Sequence, residues 1–496
     1  MKKIDVLWLV EHKARELDIA CAVKSLAQTY YGLDITVRNM YFDAKEVMEK
    51  YVPRLVVFPY FYRSSDAMVQ DYIQLWPRST YFNLAMEQVH YKAHLAMKAP
   101  GDDLTRKKVI HHAWGNFYKS YLATSGVPSE HIFVNGNPVY QLYKKPYSDY
   151  FTQRMRLAEN NGLDPAKKWV FIPENYKWAF FSDAKLGASA KRGGNMEEHL
   201  MMRAFCRESL AQLLLWCNEA GRNDGLEIIF RPRPATNSQL MDEFFREHVG
   251  APTRQLHFTK AETVREWILA SDVVMSSYST SLIESAIAGK PIYMVEPIPI
   301  PEALSCDWYG LVSRIYNTVE FEQACLTPAK NNNCDLQTWA EGEMLSNGDP
   351  IKGLADFIAG LVQGNSKSSR NGMKSSASVS NSPMLVLTSL NYRAQRRTRR
   401  VISYSRPALH SLFSAIKLVL SYIAAKVQPH GARRKLLKKG VMRGKLKDRL
   451  TRMVDTFSQG FEDTIRFNTV YFENDVFTEL DVNKRAEAWR EILTND

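Results

Sequence analysis

One stretch limits what this chain can fold into more than any other. From Ser271 to Pro291, a short apolar run (Val273-Val274-Met275) breaks into Ser276, Ser277, Ser279 and Thr280, and a helical stretch follows. The apolar run reads as a buried parallel strand. The hydroxyl residues suit the start of a helix, whose first N–H groups lack intrahelical partners. Such a start is suited to phosphate oxygens. Glu284 lies one turn in, within reach of ribose hydroxyls. Gly289-Lys290-Pro291 ends the helix and launches the next strand, and Lys290, at the far end, reads as structural. A serine-bearing turn of this kind occurs in many doubly wound proteins and is ambiguous by itself.

The segment some forty residues upstream narrows the reading. Leu226 to Phe230 is an apolar run, and Arg231-Pro232-Arg233-Pro234 closes it. Two guanidiniums at a strand end suit phosphate oxygens, and the prolines stiffen the exit. Ligands of open α/β sheets sit at the carboxyl ends of the strands, where both segments carry their polar residues.

The rest of the first 360 residues alternates strand and helix patterns. Predicted strands are Ile4–Val10, Ile35–Asn39, Leu55–Phe58, Ser79–Asn83, Lys108–His111 and Ile132–Asn135, then Trp169–Ile172, Leu226–Phe230, Leu256–Phe258, Val273–Met275 and Pro291–Val295. Predicted helices include Glu16–Gln28, Ala44–Lys50, Asp66–Trp76, Met196–Ala220 and Thr263–Ala270. This rhythm implies α/β architecture with parallel sheets covered on both faces.

The paired segments resemble the C-terminal domain of GT-B glycosyltransferases of bacterial surface polysaccharide (capsule and lipopolysaccharide) biosynthesis. Kdo and sialic acid transferases and the CDP-glycerol glycerophosphotransferases are among them. Val109 to Trp114, and Val127 to Pro138 with its Gly136-Asn137-Pro138, are similar to the end of the N-terminal domain in these enzymes. Val6 to Asp18 also resembles their start. The resemblance implies two Rossmann-like domains facing a cleft: an acceptor domain at 1–145 and a nucleotide-sugar domain at 146–363. It further implies that Arg231, Arg233, Ser276, Ser277, Ser279, Thr280 and Glu284 hold the donor. Arg233 stands where the family commonly has His, so it can bind phosphate but cannot shuttle a proton as a neutral base.

Other site residues come from strand ends. Glu174 follows the first strand of the second domain and is a candidate contact to sugar or base. Glu11 and His12 follow the first strand of the chain and are the candidate catalytic pair, since glycosyl transfer needs a base for the acceptor proton or a carboxylate beside the anomeric carbon. His111 and His112 read as packed. No DxD stands at a strand end, so the expectation is a metal-independent reaction with no cofactor, the nucleotide-sugar being the substrate.

The net charge of +12 is unevenly spread. Residues 393–453 hold eighteen Lys and Arg against one acid, Asp448, leaving the remainder of the chain near −5. Within that region, Leu409, Leu412, Phe413, Ile416, Leu420, Ile423 and Val427 fall on one helical face between polybasic runs. The expectation is a basic amphipathic helical extension on an anionic membrane surface. It follows a Ser/Asn/Gly-rich flexible linker at 364–392 and precedes a C-terminal helical tail at 454–496. Nucleic acid is not an expected partner, because no RNA-binding signature appears.

The six cysteines show no CxxC spacing, and no apolar run is long enough to span a bilayer. The expected location is therefore cytoplasmic, peripheral on the inner face of the bacterial inner membrane. The expected function is transfer of a sugar from a nucleotide donor, with a CMP-linked acidic sugar such as Kdo favoured, to a surface polysaccharide or lipid-linked acceptor. The alternatives are a CDP-glycerol-type glycerophosphotransferase and a non-catalytic GT-B-like scaffold.

Overall fold

The structure is a computed structural model. It describes residues 1–368 apart from 90, 92–94, 96–97, 191–193, 234–235 and 346–347, together with 475–494. The basic extension 393–453 expected from the sequence lies outside the described residues.

Among the described residues there are two six-stranded sheets, and every strand pairing in them is parallel. The first contains β1 (Lys2–Val10), β2 (Ile35–Asn39), β3 (Tyr51–Phe58), β4 (Thr80–Asn83), β5 (Val109–Ala113) and β6 (Ile132–Val134), in the order β2-β1-β3-β4-β5-β6. The second contains β7 (Lys168–Pro173), β8 (Leu226–Arg231), β9 (Leu256–Phe258), β10 (Val273–Ser276), β11 (Ile292–Val295) and β12 (Arg314–Ile315), in the order β12-β11-β10-β7-β8-β9. The first order is flavodoxin-like, and the second is the doubly wound order of dinucleotide-binding domains. The chain thus has two Rossmann-like lobes, as the β-α-β rhythm implies. The two-residue β12 is too short for sequence periodicity to reveal.

Central strands read as unbroken apolar runs because helices cover both faces. Val6 to Val10 and Val170 to Ile172 are all buried. The helix Lys13–Tyr31 is buried at every position from Glu16 to Ala27, which fits a helix enclosed on all sides. It lies between the first sheet and the C-terminal helix Glu479–Thr494, which falls inside the tail expected to be helical. Trp489 of that helix is fully buried and stacks on Tyr150 at 4.1 Å.

The expected second domain, 146–363, ends in a helix that returns to the first lobe. Within Pro350–Ser368, Phe357 stacks on Phe133 at 3.8 Å, and Asn135 Nδ2 donates to the Pro350 carbonyl at 2.7 Å. Both the closing helix and the C-terminal helix therefore belong to the first lobe's packing. No described helix is long and apolar enough to cross a membrane.

Candidate active site

The strand order of the second sheet reverses between β7 and β10, so the carboxyl ends of these strands flank a crevice. Ser276 Oγ donates to the Pro173 carbonyl at 2.6 Å and ties the two ends together. β8 lies on the other side of β7, with Pro173 opposite Arg231.

Glu174 occupies the middle of this edge and is buried. One carboxylate oxygen accepts the Tyr176 amide; the other accepts the Arg233 amide at 3.1 Å and the Thr236 hydroxyl at 3.2 Å. Burial pushes its pKa up, with Arg233 and these donors opposing the shift. The sequence reading gave Glu174 to sugar or base. Its carboxylate braces the loop that carries Arg233, and the residue also lines the cleft at this edge.

Arg233 donates from Nη1 to Asn175 Oδ1 at 2.8 Å. Arg231 is buried, donates from Nη2 to the Glu262 carbonyl at 2.9 Å, and has its pKa pushed down to about 10 by desolvation. Both arginines line a cleft of about 400 Å³.

The four hydroxyl residues divide. Ser279 and Thr280 line the cleft. Ser276 and Ser277 are buried and are absent from its described lining, and the Ser276 hydroxyl is already spent on Pro173. Glu284 faces the same cleft from the helix Ser281–Ile287. Burial pushes its pKa up, and Tyr143 donates its hydroxyl to Oε2 at 2.5 Å. Gly289 ends this helix at φ +70°, a left-handed conformation that a side chain would strain. Lys290 Nζ donates to the Leu269 carbonyl at 2.7 Å, a structural bond.

The first lobe supplies the facing wall. Arg15, Glu87 and Lys98 line the cleft. Arg15 pairs with Glu87 at 2.9 Å and Lys98 pairs with Glu87 at 2.6 Å. Burial would raise the Glu87 pKa, but the two cations outweigh it and hold the carboxyl well below its usual range.

Glu11 and His12 are not among the described cleft-lining residues. They lie directly behind that wall: Glu11 Oε2 is 3.6 Å from Arg15 and 3.8 Å from His12 Nε2. The other His12 nitrogen, Nδ1, is 3.3 Å from Asp475, whose second oxygen accepts the Lys13 amide at 2.8 Å. Burial would lower the His12 pKa; the bond to Asp475 and the nearby carboxylates outweigh it and raise it. Burial raises the Glu11 pKa despite His12 and Arg15. Asp475, from the far end of the chain, completes a carboxylate–imidazole–carboxylate row that sequence order could not reveal.

His111 and His112 are packed, as their strand pattern predicts. Both are wholly buried, with pKa values pushed down to about 4 by desolvation.

Sequence reasoning missed Arg265, Tyr143 and Lys177. Arg265 lines the cleft and pairs with Asp18 of the first lobe at 3.0 Å. Lys177 also lines the cleft, its pKa pushed down to about 8 by desolvation and by the charge of Arg233. Neither cation sits in a motif, so only folding reveals its neighbours. Among the described residues, no group of three His, Cys, Asp or Glu is arranged to hold a metal ion.

No protein-family model and no curated protein matches the chain. Similar solved structures include a UDP-N-acetylglucosamine 2-epimerase from Listeria monocytogenes, 14 % identical over 74 % of this chain and 98 % of that one, with a TM-score of 0.46. The wall teichoic acid polymerase TagF is 9 % identical over 74 % of this chain and 90 % of its own, with a TM-score of 0.44. The Neisseria meningitidis UDP-GlcNAc 2-epimerase bound to UDP-GlcNAc is 11 % identical over 75 % of this chain and 100 % of its own, with a TM-score of 0.41.

Proposed function

We propose that this chain is a glycosyltransferase that moves a sugar from a nucleotide donor, such as a CMP-linked acidic sugar, to a surface polysaccharide or lipid-linked acceptor. One observation carries the reading: Arg231, Arg233, Ser279, Thr280 and Glu284 line one cleft between two Rossmann-like lobes. They stand at the carboxyl edge of the second sheet, where such sheets bind nucleotides.

In this reading Arg233, Arg231 and Lys177 receive the donor's anionic groups, and Ser279 and Thr280 donate hydroxyls to phosphate oxygens. Glu284, fixed through Oε2 by Tyr143, takes the ribose hydroxyls. Negative charge that develops on the leaving nucleotide is neutralised by fixed guanidiniums already oriented for it. The reaction is metal-independent in this proposal, because cations of the chain do that work. In this proposal Glu11, its pKa raised by burial, takes the acceptor hydroxyl's proton once the Arg15 side chain that separates it from the cleft has moved aside, and His12, held by Asp475, keeps Glu11 oriented. The anomeric C–O bond to phosphate breaks as the acceptor oxygen bonds to that carbon, and the released phosphate keeps the electron pair.

The test is a thermal-shift screen over CMP, CDP, UDP, GDP and their sugars, followed by product analysis with the sugar nucleotide that binds. Release of the nucleotide with a glycosylated acceptor is expected. CMP release with phosphate carried to the acceptor would instead identify a glycerophosphotransferase. Unchanged cell-surface glycan in strains carrying R231A or E284A would leave only the scaffold reading.

We further propose that residues 393–453 attach the enzyme to the cytoplasmic face of the inner membrane through its anionic lipids. Co-sedimentation with anionic liposomes that disappears when 393–453 are deleted is the expected result; binding that survives the deletion refutes it.

A further inference from the structure

A second cavity, of about 670 Å³, opens beside the cleft and shares Gln88, Val89 and Trp114 with it. This volume lies within the ~300–1,000 Å³ of small-molecule sites. Its walls come from both lobes. Trp114 and Phe117 belong to the first lobe, and Trp308 and Trp339 to the second. The exposed side chains of Asp307 and Glu343 also line it. Trp114 and Trp308 each keep a buried indole N–H with no hydrogen-bond partner among the described residues.

We propose that this cavity binds the terminal neutral sugar rings of the acceptor glycan. A pyranose ring has an apolar C–H face and a belt of hydroxyls. Aromatic planes bury the face, and the two carboxylates accept the hydroxyls. An alkyl or polyprenyl chain would match the aromatic walls but would set hydrocarbon against Asp307 and Glu343. An acidic glycan would meet like charge at the same two residues. Among the described lining residues, a neutral sugar suits each wall. The shared residues join this cavity to the donor cleft, so an acceptor held here extends toward the transferred sugar. The inference rests on the transferase reading only in calling its occupant the acceptor.

Saturation-transfer NMR on the full chain tests this directly, without turnover. The probes are maltotriose, chitotriose and mannotriose as neutral glycans, a sialic acid trimer as the acidic glycan and geranyl phosphate as the lipid. The expected result is saturation of ring C–H protons of at least one neutral trisaccharide. Trp339→Ala should weaken binding about tenfold, as loss of one aromatic platform implies. Ser120→Trp fills the cavity from an exposed helical position and leaves the core untouched; it should abolish the signal even if W339A folds poorly. Absence of any neutral-sugar signal overturns the proposal. So does an unchanged signal in S120W, or displacement of the neutral sugar by geranyl phosphate or the sialic acid trimer. Nucleotide thermal shifts are read in parallel. Glycan binding without any nucleotide shift removes the donor reading alone, and the converse removes this one alone.

Discussion

Asp18 and Arg265 form a 3.0 Å ion pair with only 2 % and 1 % of their side chains exposed, and it joins a helix of the first lobe to a helix of the second. Arg485 of the C-terminal helix adds a second guanidinium to the other Asp18 oxygen at 2.5 Å. Arg265 Nη2 also donates to the Arg15 carbonyl at 3.2 Å, and both arginines line the cleft. The two walls of the cleft are thus tied together by a buried charge that one substitution can unbalance.

Removing one partner of a buried pair strands the other, at a cost of about 3–5 kcal/mol. Asp18→Asn strands two guanidiniums, whereas Arg265→Ala leaves Asp18 still paired with Arg485. Thermal denaturation should therefore show a larger loss for D18N than for R265A.

Gly115 is a second point of lobe contact. A Cβ there would overlap the backbone carbonyl of Glu343, which belongs to the helix Cys334–Met344. The next residue of that helix, Met344, accepts the Asn137 amide at 2.5 Å. Gly115→Ala should cost about 1–3 kcal/mol as overpacking, read in the denaturation midpoint. Because the clash involves backbone, no rotamer change relieves it.

Lys177 should set a pH limit on nucleotide binding. Its pKa of about 8, down from 10.5, means that its charge is present below pH 8 and lost above. Calorimetric affinity for the nucleotide should fall as pH rises through 8. Lys177→Arg, which stays charged, should flatten that fall; Lys177→Met should weaken binding below pH 8 and remove the dependence. Stability of the free protein runs the other way. Between 8 and 10.5 the unfolded chain holds the proton more firmly, so this group's contribution to stability rises with pH.

The Asp475–His12 bond has the opposite signature. The His12 pKa is raised above 6.5, so its contribution to stability is complete below 6.5 and lost as pH rises through the folded value. Asp475→Asn should destabilise the chain more below pH 6.5 than well above it. It should also lower activity by disorienting His12, with the donor KM unchanged. Equal destabilisation at all pH values would contradict this pairing.

Trp489 tests how firmly the helix Glu479–Thr494 is held to the rest of the chain. Fully buried against Tyr147, Tyr150 and Phe151, it should cost about 3–5 kcal/mol when cut to Ala. A denaturation midpoint unchanged from wild type would show the helix Glu479–Thr494 to be dispensable.

Local sequence determined the two lobes, since strands covered on both faces must be apolar throughout and the helices between them carry a different period. Val6 to Val10 and Val273 to Met275 are legible on that ground alone. Arg231, Arg233, Ser279 and Thr280 were legible as residues of the second sheet's carboxyl edge, because polar residues that directly follow a buried strand must emerge at its end. The remaining features depended on contacts between segments far apart in the chain. Glu174 braces the loop that carries Arg233, Ser276 is spent on the Pro173 carbonyl, Asp475 reaches His12 across 463 positions, and Arg265 meets Asp18 across 247. Hydrophobic periodicity reports which face of a segment is buried but not which other segment covers it; side-chain pairing is settled only when the sheets and helices pack.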